Sequence, residues 1–133
     1  MIILVDSNVL LDVVTDDPTW YDWSVGQMNA LAINNELSIN DIIYSELTPS
    51  FERFEDVSST VEDMRLRQRP IPAAALFLAG KVHQTYRRAG GVKTGVLPDF
   101  FIGAQAAVEE ISILTRDVRR YRAYFPTVEL ITP

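Results

Sequence analysis

The chain has 133 residues and a net charge of −6, from 18 acidic against 12 basic side chains, with 47% hydrophobic residues and no cysteine. That length suits one domain, residues 1–133, with one sizeable core. The lack of cysteine excludes disulfides, thiolate nucleophiles and Cys-based zinc sites. No apolar stretch approaches the roughly 18 residues of a membrane span, so the chain reads as soluble and cytoplasmic.

Met1–Val5 is five consecutive apolar residues and predicts a buried strand. Asp6-Ser7-Asn8 then offers helix caps, and Val9, Leu10, Val13 and Val14 recur at helical spacing until Asp16-Asp17-Pro18. Ser24–Asn34 predicts a second helix through Val25, Met28, Leu31 and Ala32, and Leu37-Ser38-Ile39 a short strand. Asp41 is expected to cap a helix carrying Ile42, Ile43 and Leu47, with Pro49 interrupting it. Phe51, Phe54 and Val57 suit a following helical turn, and Val61–Arg69 reads as another short helix. Ala73–Ala89 is rich in helix formers and ends at Gly90-Gly91. Val92–Leu97 reads as a loop, Pro98-Asp99 opens a helix through Val108, and Ile111–Leu114 and Val128–Ile131 close the chain as strands. Strands interleaved with helices predict an α/β fold with a mostly parallel sheet covered on both faces. Its functional loops belong at the C-terminal ends of the strands.

Four carboxylates fall at or near that edge. Asp6 ends the first strand, Asp117 follows the strand ending at Leu114, and Asp99 lies in the first turn of its helix. Glu46 sits at the edge of the apolar stripe of its helix. Singly, each has a local explanation: Asp6 as an N-cap, Asp99 as a partner of the helix dipole, Asp117 as a turn residue, Glu46 as a solvated glutamate. Jointly they repel one another unless a cation offsets them, and oxygen-only ligands suit Mg²⁺ or Mn²⁺. Such an ion polarises a phosphoryl oxygen and lowers the pKa of a bound water, so phosphodiester hydrolysis is the chemistry this set suits.

At these residues the chain resembles the PIN-domain ribonucleases, and within them the VapC-type toxins of toxin–antitoxin pairs. The matching segments are Ile2–Asp12, Tyr44–Leu47, Gly95–Ala107 and Ile113–Tyr121, in order and across nearly the whole chain. The resemblance implies a three-layer α/β/α fold and a Mg²⁺- or Mn²⁺-dependent endoribonuclease whose four metal-holding, catalytic acids fall on Asp6, Glu46, Asp99 and Asp117. It also implies that Ser7 and Thr115 orient carboxylates or water, that the chain forms a homodimer, and that a small antitoxin protein silences it. The antitoxin's tail would cover the acidic site and suit an apolar groove between the early helices. One departure is Phe100-Phe101, bulkier than the small residue expected after the third acid, which would narrow the site.

Net negative charge is unusual for a protein that grips RNA. The distribution is uneven, however. Residues 1–52 hold nine acids and no Lys or Arg, while residues 53–133 hold all twelve basic residues against nine acids. Arg116, Arg119, Arg120 and Arg122 flank Asp117, and Arg116, Arg119 and Arg120 are the expected RNA phosphate contacts; the alternative is a solvated helical face. His83 reads as a surface or interface residue, the Trp20-Tyr21-Trp23 cluster as packing, and Asp12 as an outer carboxylate or a helix-surface residue. An aspartyl-nucleophile phosphatase needs a second Asp where Asn8 stands. A metal-adhesion site needs serines where Asn8 and Leu10 stand. Two alternatives stay open: a PIN-like scaffold that only binds a partner, and a housekeeping RNA-processing nuclease without an antitoxin.

Overall fold

The computed structural model describes residues 1–93 and 95–133. Thr94, inside the segment read as a loop from Val92 to Leu97, lies outside the described residues.

The strands are β1 (Ile2–Val5), β2 (Glu36–Ile39), β3 (Arg67–Gln68), β4 (Ser112–Leu114) and β5 (Leu130–Ile131). Among the described residues they form one five-stranded sheet in the order β3-β2-β1-β4-β5, with every pairing parallel. The helices are α1 (Ser7–Val14), α2 (Tyr21–Ala32), α3 (Asp41–Leu47), α4 (Phe54–Asp63), α5 (Ala73–Arg88), α6 (Leu97–Glu109) and α7 (Arg119–Tyr124). A parallel sheet needs crossovers, and these helices supply them on both faces, which gives the expected three-layer α/β/α architecture. Leu4, Val5, Ile39, Ile113 and Leu114 are fully buried in the central strands.

The C-terminal ends of β1 and β4 are locked side by side. Val5 pairs with Leu114, and the Asp6 N–H donates to the Leu114 carbonyl at 2.9 Å. Asp6 and Thr115 therefore emerge next to each other. α3 packs against α1 and α6, which brings the Glu46 and Asp99 helices to the same edge.

Three local expectations are corrected. Val61–Arg69 is not a helix: α4 ends at Asp63, Arg65 turns with φ of 55°, and Arg67–Gln68 pairs with β2. A two-residue edge strand is too short to carry a period. α3 is capped by Asn40 rather than Asp41, with the Asn40 Oδ1 accepting the Ile43 N–H at 2.9 Å. Phe100 does not narrow the edge: it is fully buried in a cluster with Tyr86, Tyr124 and Phe125.

Among the described residues, no helix is long and apolar enough to cross a membrane.

Candidate active site

Asp6 is the centre of the arrangement. It is 3% exposed, extended at φ −65° and ψ 151°, and caps α1. One carboxylate oxygen accepts the Ser7 N–H at 2.8 Å. The other accepts the Thr115 hydroxyl at 2.8 Å, the Tyr121 hydroxyl at 2.9 Å and the Asn8 amide at 3.3 Å. A cap alone needs one such contact; four donors on one carboxylate fix its position from three segments of chain.

The neighbours are tied into the same network. The Ser7 hydroxyl donates to Glu46 at 3.1 Å, linking α1 to α3. The Thr115 hydroxyl also accepts the Asp117 N–H at 3.0 Å and the Asn8 amide at 3.1 Å. Asn8 in turn accepts the Arg116 N–H at 3.1 Å. Asp99, in the first turn of α6, is ion-paired with Arg120 of α7.

Electrostatics show how close these acids stand. Burial pushes the Asp6 carboxyl above the usual carboxylate range, against the lowering bonds from Thr115 and Tyr121, and the charge of Asp99 adds to the rise. Burial likewise raises Glu46, opposed by Ser7 and reinforced by Asp6 and Asp99. Asp99 is raised by burial, lowered by Arg120 and raised again by Asp117. The Tyr121 hydroxyl lies well above its ordinary value, because it is buried and faces the charges of Asp6 and Asp99.

All four acids thus come to one edge of the sheet and act on one another. An all-oxygen set that destabilises its own charge fits a hard divalent cation, which offsets that repulsion. Among the described residues no three Asp, Glu or His groups stand close enough to ligate one ion as placed. Three of these acids could share one ion only if their carboxylates rotated, and Arg120 already occupies one oxygen of Asp99.

The arginines divide by partner. Arg116 makes a two-pronged ion pair with buried Asp12 at 2.7 and 2.9 Å, Asp12 accepts the Ser24 hydroxyl at 2.7 Å, and the guanidinium lies 4.9 Å from the Trp20 ring centre. That pair ties the strand end to α1 and α2 and leaves the Arg116 side chain 26% exposed. Asp12 is accordingly a structural carboxylate. Arg119 is exposed, and Arg120 is half-buried against Asp99.

Sequence reasoning missed Tyr121 and Asn8 as partners of Asp6. The available signal was position: Asn8 follows Asp6 by two residues, and Tyr121 closes the Ile113–Tyr121 segment.

Away from this edge, a groove of about 560 Å³ runs between α2, the start of β2 and the end of α4, with Val13, Val25, Met28, Leu37 and Met64 in its wall. It opens toward the N-terminal end of β2, not over the acids.

The family model described as PIN domain matches residues 3–126. The chain is similar to VapBC2 from Rickettsia felis, solved bound to a DNA fragment from its promoter. There the identity is 20%, covering 100% of this chain and 99% of that one, with a TM-score of 0.76. DNA-bound VapBC from Salmonella typhimurium gives 17% identity over 99% of this chain and 98% of that one, at a TM-score of 0.72. A toxin–antitoxin complex from Klebsiella pneumoniae gives 20% identity over 98% and 96%, at 0.67. At such identities the likeness establishes the fold. No curated protein matches the chain.

Proposed function

The chain belongs to the PIN domain family, and from that premise we propose that it is a Mg²⁺- or Mn²⁺-dependent endoribonuclease, residues 1–133 forming one nuclease domain that acts as the toxin of a toxin–antitoxin pair in the cytoplasm. The observation that carries this reading is the convergence of four carboxylates from four segments on one sheet edge, where charge on one raises another's pKa.

In this reading Asp6, Glu46, Asp99 and Asp117 hold the ion. Bound there, it supplies Lewis acidity toward a phosphoryl oxygen and toward the attacking water. The chain's own residues do the rest. Thr115 and Tyr121 fix the Asp6 carboxylate, and Ser7 holds Glu46 toward it. Arg119 and Arg120 meet the RNA phosphates on the same side as Asp117; Arg116 braces the strand end through Asp12.

Two observations support a protein partner. The Klebsiella structure is a toxin–antitoxin complex by name, and the Rickettsia and Salmonella structures are named VapBC2 and VapBC; the apolar groove beside α2 offers a seat for an antitoxin segment. A homodimer follows from the family resemblance alone.

The test is cleavage of a structured RNA pool with Mg²⁺ or Mn²⁺, comparing wild type with Asp99→Asn and Glu46→Gln. Both sites are partly exposed and make few contacts, so both variants keep the fold. Asp6→Asn is the poorer probe, because an amide cannot accept all four donors that Asp6 serves. Metal-dependent cleavage lost in both variants supports the assignment; equal cleavage by all three rejects it.

A further inference from the structure

Two neutral amides, Asn40 and Gln105, are fully buried and bonded to each other, the Asn40 amide donating to the Gln105 side-chain oxygen at 3.0 Å. The chain around them fixes how each is turned. The Asn40 oxygen accepts the Ile43 N–H at 2.9 Å as the cap of α3, which aims its amide at α6. The Gln105 amide donates to the Pro70 carbonyl at 3.0 Å and to Glu109 at 3.2 Å, which aims its oxygen at Asn40. Glu109 is held in turn by the Arg69 guanidinium at 3.1 and 3.2 Å, and the Arg69 N–H donates to the Ile39 carbonyl beside Asn40 at 2.8 Å. A buried polar network satisfied on these sides has one arrangement, whereas an apolar contact of the same size tolerates sliding.

The pair joins the two helices that carry Glu46 and Asp99. Glu46 follows Asn40 on α3, Asp99 precedes Gln105 on α6, and the helices pack against each other. α3 has only seven residues, so it moves as one body with its cap and carries Glu46 with it. Among the described residues, neither amide bonds to Asp6, Glu46, Asp99 or Asp117. Their reach to the site is through the placement of the two helices.

Building on the nuclease reading, we propose that Asn40 and Gln105 are positioning residues: their hydrogen bond fixes the separation of Glu46 from Asp99 and so makes the acidic edge discriminate between Mg²⁺ and the larger Ca²⁺. Mg²⁺ demands near-ideal octahedral geometry, while Ca²⁺ accepts an irregular set of oxygens. A looser clamp therefore costs Mg²⁺ more than Ca²⁺.

The test is displacement of bound Mn²⁺, followed by its electron paramagnetic resonance signal, by Mg²⁺ and by Ca²⁺ in wild type, Asn40→Ser and Asn40→Ser/Gln105→Met. Serine keeps a cap for the Ile43 N–H, and the double variant removes both amides, so neither is left half-paired. Groups that orient metal ligands are typically worth 10–100-fold in affinity. Mg²⁺ affinity should accordingly fall about tenfold in both variants, and Ca²⁺ affinity by less than about twofold. Met28→Ala is the control for lost stability alone: it truncates a buried side chain on α2, which packs on α1 and β2, and should leave the Mg²⁺-to-Ca²⁺ ratio unchanged. An unchanged ratio in both clamp variants, or an equal fall in Met28→Ala, overturns the proposal. If wild type binds Mn²⁺ and Asp99→Asn loses it, that failure is the clamp's alone. A wild type that binds no Mn²⁺ overturns the clamp and the nuclease reading together.

Discussion

Replacing Arg120 with alanine should tighten divalent-cation binding. The Arg120 guanidinium rests on the Asp99 carboxylate, with side-chain exposures of 24% and 22%. An ion using that carboxylate competes with it for the same charge. A charged hydrogen bond contributes roughly 1.5–3 kcal/mol when buried, and partial exposure reduces this to about 1 kcal/mol. Removing the competitor should therefore improve Mn²⁺ affinity by about fivefold. Titration calorimetry with Mn²⁺ measures it. Arg119→Ala is the control: it removes the same charge from the next residue but no contact with Asp99, and should change affinity less than twofold. Equal effects from the two variants would reduce the Arg120 contact to general charge, and weaker binding by Arg120→Ala would refute the reasoning outright.

Three further outcomes follow from the same network. Glu46→Gln should gain stability relative to wild type as pH rises, measured by thermal melts in EDTA. Burial holds Glu46 above the usual carboxylate range, so its contribution is present below that range and lost as pH climbs through the raised value. A melting difference that is flat with pH contradicts this. Thr115→Val should destabilise by about 2 kcal/mol in urea denaturation, because it removes a donor to buried Asp6, leaves the Asp117 N–H without its acceptor and takes one of the two acceptors from the Asn8 amide; a loss below about 0.5 kcal/mol would show the network is slack. Arg116→Met should cost about 2 kcal/mol by stranding buried Asp12, and leave the salt slope of RNA binding unchanged. A flatter slope would restore Arg116 as a phosphate contact.

What was legible in the sequence follows from periodicity and position. Met1–Val5, and Ile111–Leu114 apart from Ser112, are apolar stretches of the kind a covered parallel strand uses, and they place Asp6 and Asp117 at one edge. The long α5 and the Pro98 start of α6 carry their own composition signals. β3 was not legible, because two exposed residues, Arg67 and Gln68, pair by backbone alone. α7 was equally hidden: six residues with Tyr121 alone buried give no stripe to read. The roles of the arginines were beyond sequence as well. Arg116, Arg119 and Arg120 lie within five residues, yet one is held by Asp12 from α1, one is exposed, and one meets Asp99 from α6. Those partners are 104 and 21 residues away in the chain. The hydrogen-bonded chain from buried Asn40 and Gln105 to the half-buried Glu109 and Arg69, which fixes α3, α6 and the end of β3 together, likewise shows no local signal.

The most direct test of the central claim is to locate Mn²⁺ by anomalous scattering in crystals of the protein grown with the ion. The account predicts a peak about 2.1 Å from carboxylate oxygens of at least two of Asp6, Glu46, Asp99 and Asp117, with Arg120 turned away from Asp99. A saturated crystal with no ion at this edge, or with its only ion elsewhere, would contradict it.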